Sequence, residues 1–424
     1  MKEKMTLGTI ESTLFDVIVA GGGMAGAFAA IAAAREGANV LLVEKNGFCG
    51  GAATSGLVHP FMPYYERHNG AISNAGLFRT LQKRLFEMGA TPTDKSCFFN
   101  ESMLKVLLDR MLTEVGVTIL FGCMIGEVDI VDEEIKRIYA YSPAGKIGLS
   151  AKVYIDATGD ADLSAFAGMD CRVGRDSDGL CQAMTLNFNL AFVDWSRWDK
   201  YAADTLYREL KEQGKIRNGR RDILAMTMQN RGMMHLNSTR ITGKDATDPV
   251  SLTEAELEGR EQMLDLYNFF REYIPGLEDA ELVSSGSEIG VRESRRVMGH
   301  YILTEDDVLG TKHFEDAICR ATYNIDIHNP TGEGTFCKYL PPHTYYTIPY
   351  RCLVPLGSKN LLVAGRPISA THEAHSSLRV IPSASCIGEA AGVAAAIAAK
   401  KDLAPEHIDV DELRAVLTSR GALV

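Results

Sequence analysis

Residues 15–44 read FDVIVAGGGMAGAFAAIAAAREGANVLLVE, and this stretch decides the fold of the chain. An apolar run ends at Ala20, a cluster of glycines follows, and an alanine-rich segment leads to a second apolar run that closes at Glu44. Short apolar runs bounded by glycine predict buried strands, and the longer alanine-rich segment between them predicts a helix. The stretch therefore predicts the order strand, tight turn, helix, strand.

The turn carries a glycine pattern with a chemical purpose. Gly21, Gly23 and Gly26 form G-x-G-x-x-G: the first permits the sharp turn, the second lets a pyrophosphate approach, and the third lets the helix pack on the strand. Glu44 follows Gly26 by 18 residues, where a carboxylate accepts hydrogen bonds from ribose hydroxyls and disfavours a 2′-phosphate. A glycine-rich turn without a ligand is the alternative, but this context favours a dinucleotide such as NAD or FAD.

Composition limits the partners that this chain can have. The sequence has 424 residues, with 44 Lys and Arg against 55 Asp and Glu, which gives a formal net charge of -11. That charge would repel a phosphate backbone, so we expect no nucleic-acid partner. The length exceeds what one hydrophobic core usually serves, so we expect more than one domain.

Cysteine usage and the chain start bear on chemistry and location. The nine cysteines are scattered and never spaced C-x-x-C, which argues against an iron–sulfur cluster, a structural zinc site or a disulfide-reductase pair. The charged start MKEK is followed by polar residues, which is not the pattern of a secretory signal, and the alanine-rich segments are too short to span a bilayer. We expect a cytoplasmic protein with free thiols, no metal and no membrane contact.

The chain divides into three predicted segments. Residues 1–170 contain the glycine turn, helices at 74–88 and 102–115, a strand at 117–121, a β-meander over 124–153 and a further strand at 154–160, after a loose lead-in over 1–14. Residues 171–350 mix short strands with helices at 201–213 and 253–273, and residues 351–424 return to the first pattern with helices at 387–400 and 405–417. The sequence predicts an α/β fold: a Rossmann-like domain with a parallel sheet and β-meander, interrupted by an α+β substrate or cap domain.

Several motifs in order give a resemblance to a known family. The chain reads AGGGMAGAFAA at its start, CGGAATSG after the ribose acid, IDATGDADLSAFAG near Asp160, IGVRESRRVMGHYILTEDDV in the middle and NLLVAGRPISATHEAHSSLRVIPSASCIGEAAGVAAAIAA near its end. Over nearly its whole length it resembles the FAD-dependent oxidoreductases related to the fumarate reductase and succinate dehydrogenase flavoproteins. The resemblance implies FAD stretched between the nucleotide-binding domain and the cap domain.

The resemblance also implies which residues hold FAD. The helix expected to open at Gly388 would point its N-terminus at the flavin and stabilise the negative charge of the reduced ring. No histidine precedes Gly50, where related proteins sometimes attach the flavin, so we expect noncovalent FAD. The implied FAD-binding residues are Gly21, Gly23, Met24, Ala25, Gly26, Glu44, Lys45, Gly50, Gly51, Ala52, Thr54, Gly159, Asp160, Gly365, Arg366, Gly388 and Ala391.

Two arginines are candidates for binding the substrate. Arg292 and Arg295 lie with Arg296 at spacing i, i+3, i+4, which would bring them together on a helix, and guanidinium groups bind carboxylates through paired hydrogen bonds. An ion-paired helix face that includes Glu293 is the alternative interpretation.

Two histidines are candidates for proton transfer. His372 and His375 lie between the Gly365 turn and the last alanine-rich helix, and a histidine changes charge near neutral pH. Structural histidines in the domain seam are the alternative, and the spacing does not match the metal motif H-E-x-x-H. His59, shortly after the second glycine pair, is a weaker candidate.

These features together predict a soluble FAD-dependent oxidoreductase that transfers a hydride between flavin and a small organic substrate, which the arginines suggest bears a carboxylate. A tRNA-modifying flavoprotein, an electron-relay subunit of a larger redox complex and a nonredox synthase that binds NAD are the alternatives. The acidic balance argues against the first of these, and the absence of clustered cysteines argues against the second. Assembly into a homo-oligomer is compatible with the sequence.

Overall fold

The computed structural model describes residues 6–228 and 232–424, and within these ranges the chain contains eleven α-helices and seventeen strands. The strands are β1 (Leu14–Ala20), β2 (Val40–Glu44), β3 (Thr118–Phe121), β4 (Met124–Val131), β5 (Glu134–Ser142), β6 (Gly145–Asp156), β7 (Cys171–Val173), β8 (Phe188–Ala191), β9 (Ala225–Thr227), β10 (Met234–Leu236), β11 (Glu281–Ser285), β12 (Arg295–Val297), β13 (Ala317–Ala321), β14 (Ile325–His328), β15 (Thr335–Lys338), β16 (Tyr346–Pro349) and β17 (Leu361–Val363). The helices are α1 (Leu7–Ser12), α2 (Met24–Arg35), α3 (Leu77–Glu87), α4 (Glu101–Glu114), α5 (Asp162–Phe166), α6 (Lys200–Glu212), α7 (Pro249–Tyr273), α8 (Glu305–Leu309), α9 (His372–Leu378), α10 (Ile381–Lys401) and α11 (Val410–Ser419).

A seven-stranded sheet organises the first layer of the fold. Its order is β3-β2-β1-β6-β5-β4, and β17 also pairs with β6. The strands β1, β2, β3 and β17 run parallel to one another and to the second half of β6, whereas β4, β5 and the first half of β6 form an antiparallel meander. The structure confirms the predicted α/β fold with its parallel sheet and β-meander.

Helices α2 and α10 pack against each other beside this sheet and are almost wholly buried. Their backbones approach so closely that a Cβ atom on Gly388 would lie 2.1 Å from the carbonyl oxygen of Ala25, and one on Gly392 would lie 2.1 Å from that of Ala29. Alanine and glycine fill both helices because larger side chains would not fit between them. By length and composition α10 could cross a membrane, but its residues 381–399 are buried inside the protein, as in the core helix of a globular domain.

A second sheet has four strands in the order β11-β8-β10-β9. Phe188 and Leu190 on β8, and Met234 and Leu236 on β10, belong to the apolar core that α6 and α7 cover. Because side chains alternate along a strand, the intervening residues of β8 and β10 face the other way and carry polar groups. The remaining three sheets have two strands each within the described residues: β12-β7, β13-β16 and β14-β15.

Most predicted helices are present, with shifted ends. The helices predicted at 74–88, 102–115, 201–213 and 253–273 are confirmed as α3, α4, α6 and α7. The loose lead-in predicted over 1–14 is wrong for residues 7–12, which form α1 with the Thr6 side chain accepting from the Thr9 N–H, while residues 1–5 lie outside the described residues. The helix α7 begins earlier than the predicted residue 253, because Asp248 caps it and accepts from the N–H groups of Val250 and Ser251. The predicted boundaries at 170/171 and 350/351 stay predictions.

Candidate cofactor and substrate site

A cleft of about 630 Å³ lies where the parallel strands of the first sheet end. Gly21 follows β1, Glu44 ends β2, Ala157 follows β6 and Ala364 follows β17, and all four line the cleft. Ligands of α/β proteins bind at this edge of the sheet, and the volume falls within the usual range for small-molecule sites. Thr185, Asn187, Asn237 and other residues near the second sheet line its opposite side.

The two glycine motifs lie directly against each other in this cleft. Gly21 has a φ of 94°, and a Cβ atom there would lie 2.5 Å from the carbonyl oxygen of Ala157. The N–H of Gly50 donates to the carbonyl of Gly22 at 2.8 Å, and a Cβ atom on Gly51 would lie 2.9 Å from the Cα of Gly23. This bare backbone, with α2 beginning just after Gly23, leaves room for a pyrophosphate at a helix N-terminus.

Glu44 lies buried at the end of β2, where the ribose acid was expected. Its carboxylate accepts from the N–H of Gly22 at 2.6 Å and from the N–H of Asn46 at 2.7 Å. Burial raises the pKa of Glu44, while these two backbone donors counteract the rise. The hydrogen bonds fix the carboxylate beside the glycine turn.

A third part of the cleft is the turn at Gly159 and Asp160. Arg366 donates from Nε to the Gly159 carbonyl at 2.8 Å and from Nη2 to Asp160 Oδ1 at 2.6 Å. Arg295 binds the outer side of the same turn, with Nη1 at 3.1 Å from both the Asp160 carbonyl and Asp162 Oδ1. Arg295 therefore supports the cofactor side of the cleft and does not line it.

Most of the predicted FAD-binding residues line one cleft, although their contacts with FAD stay a prediction. The lining includes Gly21, Gly23, Met24, Ala25, Glu44, Lys45, Gly50, Gly51, Ala52, Gly159, Asp160, Gly365 and Arg366. Four others lie outside the cleft lining: Gly26, Thr54, Gly388 and Ala391. A Cβ atom added to Gly26 would lie 1.8 Å from the Gly21 carbonyl oxygen, and the Thr54 hydroxyl donates to the Cys49 carbonyl at 2.9 Å. Gly388 and Ala391 lie inside α10.

The predicted start of the last alanine-rich helix is wrong. The helix α10 begins at Ile381, with Pro382 in its first turn, so Gly388 lies two turns inside it. Pro382 fits the first turn because the N–H that it lacks would have no partner within the helix. Ile381 and Ala384 line the cleft, so a helix N-terminus does face it, seven residues earlier in the chain than predicted.

Three arginines line the end of the cleft near the second sheet: Arg220, Arg292 and Arg379. Arg292 donates from Nη1 to the Ala183 carbonyl at 2.6 Å and to Thr185 Oγ1 at 2.7 Å. Burial lowers the pKa of Arg292 well below its usual value, and the positive charges of Arg379 and Arg220 lower it further. Within residues 6–228 and 232–424, none of the three lies within 4.0 Å of a carboxylate oxygen.

Asp326 is the acid that shares this end of the cleft with the arginines. Its Oδ2 accepts from the Tyr323 hydroxyl at 2.7 Å and lies 3.8 Å from His328 Nε2, and the Cys337 thiol lies 3.6 Å from Oδ1. Burial, followed by the charges of the arginines, lowers the pKa of His328 far below its usual value, so this ring is neutral. Burial and the Asp326 charge raise the pKa of Tyr323, which keeps its hydroxyl protonated.

The predicted helix that carries the arginines is also wrong. Arg295 and Arg296 belong to β12, which pairs with β7, and Arg292 precedes it in irregular chain. Because side chains alternate on a strand, Arg296 points inward to a buried ion pair with Glu293. Of the three arginines in the motif, only Arg292 lines the cleft.

Both predicted proton-transfer histidines lie on α9, away from the cleft lining. His372 Nδ1 contacts the Glu293 carboxylate at 2.9 Å and so joins the buried pair of Glu293 and Arg296. His375 is fully buried, neither ring nitrogen has a hydrogen-bond partner in the described chain, and burial lowers its pKa far below the usual value. Their predicted catalytic role stays untested, but their positions fit the structural alternative.

Sequence reasoning did not single out Arg220, Arg379 or Asp326 as site residues, and it gave Tyr323 only as a residue that could line a pocket, with a core position as the alternative. They come from segments far apart in the chain, and no spacing pattern joins them. The one available signal was charge, since Arg379 follows the histidine motif directly. In the described ranges, no group of three His, Cys, Asp or Glu side chains is arranged to hold a metal ion.

Solved structures similar to this chain include flavin-dependent proteins. A triple mutant of the flavin-dependent brominase Bmp2 is 15% identical, with 96% of this chain and 84% of that chain covered and a TM-score of 0.47. The p-nitrophenol 4-monooxygenase PnpA from Pseudomonas putida DLL-E4 is 12% identical with the same coverage and a TM-score of 0.49. A geranylgeranyl bacteriochlorophyll reductase-like protein from Thermoplasma acidophilum is 13% identical, with the same coverage and a TM-score of 0.47.

A comparison with curated proteins finds no match. A family model described as FAD dependent oxidoreductase matches residues 16–417, which is nearly the whole chain. The paired glycine motifs, the buried Glu44 and the length of the cleft fit an adenine dinucleotide that extends from the first sheet toward the second. The chain belongs to the FAD dependent oxidoreductase family, and its cofactor is FAD.

Proposed function

We propose that this enzyme transfers a hydride between FAD and a small organic substrate that carries a carboxylate. The observation that carries the proposal is the set of three arginines, Arg220, Arg292 and Arg379, at one end of the FAD cleft without a carboxylate partner in the described chain. The relation to fumarate reductase and succinate dehydrogenase flavoproteins, which the sequence motifs suggest, belongs to this proposal.

The electrostatics of the three arginines favour an anionic ligand. Burial lowers the pKa of Arg292 most, and the nearby positive charges of Arg379 and Arg220 lower it further, because like charges that are close together destabilise one another. A carboxylate bound there would relieve the repulsion and accept paired hydrogen bonds from a guanidinium group. Asp326 supplies one negative charge against three positive ones, so a net positive charge remains for the substrate.

The protein also needs a group that handles a proton, because FAD supplies the two-electron chemistry. Asp326 and Tyr323 lie in the cleft beside the arginines, unlike His372 and His375. The carboxylate of Asp326 accepts a proton that the substrate loses on oxidation, and the Tyr323 hydroxyl stabilises that carboxylate by donating to Oδ2. Asp326 takes the role that the sequence assigned to the histidines.

The wider setting of the enzyme is part of the same proposal. All nine cysteines are free, which fits a reducing cytoplasm, and the net charge of -11 disfavours nucleic acid. The enzyme binds FAD noncovalently, acts on a small molecule and has no membrane partner. Assembly into a homo-oligomer is compatible with these features.

The test uses the purified holoenzyme under anaerobic conditions. We expect small carboxylic acids in a metabolite panel to bleach the flavin absorbance, and the matching methyl esters or amides to fail.

Arg292→Gln should weaken the apparent affinity for the active acid by at least about tenfold while FAD stays bound, since a charge-assisted pair is lost. Arg197→Gln is the matched control, because Arg197 pairs with Glu278 on the exposed surface. Equal bleaching by acids and esters, or equal affinities in both variants, would contradict the carboxylate assignment.

A further inference from the structure

His59 is a buried histidine on the wall of the FAD cleft that the proposed reaction does not use. The residue lines the cleft, yet it is only 3% exposed, and neither ring nitrogen has a hydrogen-bond partner in the described chain. A buried polar group without a hydrogen bond is costly, so the position of His59 calls for a physical reason.

The titratable groups packed around His59 are Glu101 and His235. Glu101, at the start of α4, places Oε2 at 3.5 Å from His59 Nε2. His235, on β10, has its ring centroid 5.3 Å from that of His59, and its Nδ1 donates to Asn189 Oδ1 at 2.8 Å. Phe99 stacks on the His59 ring with the two ring centroids 4.0 Å apart, which holds the ring in place.

The two histidines differ in the charge that they can carry. Burial lowers the pKa of His235 to about 3, so His235 is neutral at any working pH. Burial raises the pKa of Glu101, but its contacts with His59 outweigh the rise and hold it below the usual value, so Glu101 is ionised. An ionised carboxylate at 3.5 Å gives the His59 ring a counter-ion that His235 lacks.

The position of His59 relates it to the flavin end of the cofactor. The Gly21 turn and Glu44 would hold the ADP half, so the rest of FAD would continue past Gly51 along the same cleft. His59 follows Gly51 by eight residues and lines that continuation together with Val58 and Pro60. Negative charge gathers on the flavin when it is reduced, and a positive charge nearby in a low-dielectric site stabilises it.

We propose that His59 is a redox-tuning residue, whose ring takes up a proton when the flavin is reduced, with Glu101 as its counter-ion. The two electrons come from the substrate, or from dithionite in the experiment, and the extra proton comes from water and ends on the imidazole. The positive charge on the ring thereby makes the midpoint potential of the flavin higher than it would be beside an uncharged side chain.

The test measures the flavin midpoint potential by anaerobic reductive titration of holoenzyme with dithionite and a reference dye. His59→Leu should reduce the preference for reduced over oxidised FAD by about tenfold, which is about 30 mV for a two-electron couple. His235→Leu is the matched control, since it removes a neutral ring from the same cluster, and we expect less than a twofold change. The dependence of the potential on pH should also be shallower in His59→Leu, because one proton fewer is taken up.

Two results would overturn the proposal. The first is a His59→Leu holoenzyme whose preference for reduced over oxidised FAD differs from that of the wild type by less than about twofold. The second is an equal shift of the midpoint potential in His59→Leu and His235→Leu. If His59→Leu does not retain FAD, His59→Gln replaces it, because glutamine keeps a polar side chain of similar size that cannot be charged. A potential unchanged in His59→Gln would contradict the proposal in the same way.

Discussion

Glu389 shows how one buried acid makes the stability of this protein depend on pH. The residue lies on α10, is 3% exposed, and accepts from the N–H of Leu77 at 3.0 Å, at the start of α3. Burial raises its pKa from 4.5 to about 7, although the Leu77 donor counteracts the rise. Between these pH values the folded protein binds more protons than the unfolded chain, so stability falls as pH rises through that window.

We predict that Glu389→Gln is as stable as the wild type at pH 5 and more stable at pH 8. The gain at pH 8 should be about 3 kcal/mol, because glutamine still accepts from the Leu77 N–H and leaves no buried charge. Denaturant unfolding of both proteins at the two pH values measures the difference. A gain of equal size at pH 5 would show that the effect does not arise from ionisation of Glu389.

The sequence allowed the lining of the cleft near the glycine motifs to be predicted better than its lining near the three arginines. Gly21, Gly23 and Glu44 follow a local pattern, because one turn and one strand end must contact the same ligand. Arg220 and Asp326 reach the cleft through long-range packing, which no short spacing encodes. His372 and His375 had a suitable residue type and the right neighbours in sequence, yet α9 turns them to a buried network with Glu293 or into the core.

At the scale of elements, the close packing of α2 and α10 explains Gly388, which the sequence analysis attributed to cofactor binding. Gly388 and Gly392 lie one helical turn apart, facing the backbone of α2. Glycine at a helix start and glycine at a close helix contact look the same in sequence, so the beginning of α10 could not be located. The arginine spacing i, i+3, i+4 failed for a related reason, since β12 is too short to show an alternating pattern.

We predict that Gly392→Ala destabilises the protein by about 3 kcal/mol, because its Cβ atom would lie 2.1 Å from the Ala29 carbonyl oxygen and neither helix backbone can yield freely. Thermal unfolding followed by circular dichroism measures the loss. Gly8→Ala is the matched control, since Gly8 lies in α1 with open space around it and alanine favours a helix by up to about 1 kcal/mol. A Gly392→Ala melting temperature equal to that of the wild type would mean that the backbones of α2 and α10 leave room for a methyl group.

At the scale of the whole molecule, the FAD cleft lies along the seam between the two large sheets and their loops. Polar contacts join the two sides near the glycine motifs: the Asn187 side chain donates to the Gly56 carbonyl at 2.7 Å, the Ser287 N–H donates to the Ser55 carbonyl at 2.8 Å, and Lys45 pairs with Glu288 at 3.2 Å. Residues from both sides line the cleft, so we expect bound FAD to add contacts with each of them.

We predict that removal of FAD lowers the melting temperature, and that FAD restored at 100 times its dissociation constant adds about 2.7 kcal/mol of stability by mass action. ADP at 100 times its own dissociation constant should give the same gain by mass action. At equal total concentration ADP should stabilise less, because it would reach only the Gly21 turn and Glu44 and so bind more weakly.

Acid precipitation should leave the yellow colour in the supernatant, as expected for noncovalent FAD. Colour that stays with the precipitate would contradict noncovalent binding, and equal stabilisation by ADP and FAD at one concentration would mean that the flavin half does not contact the second side of the seam.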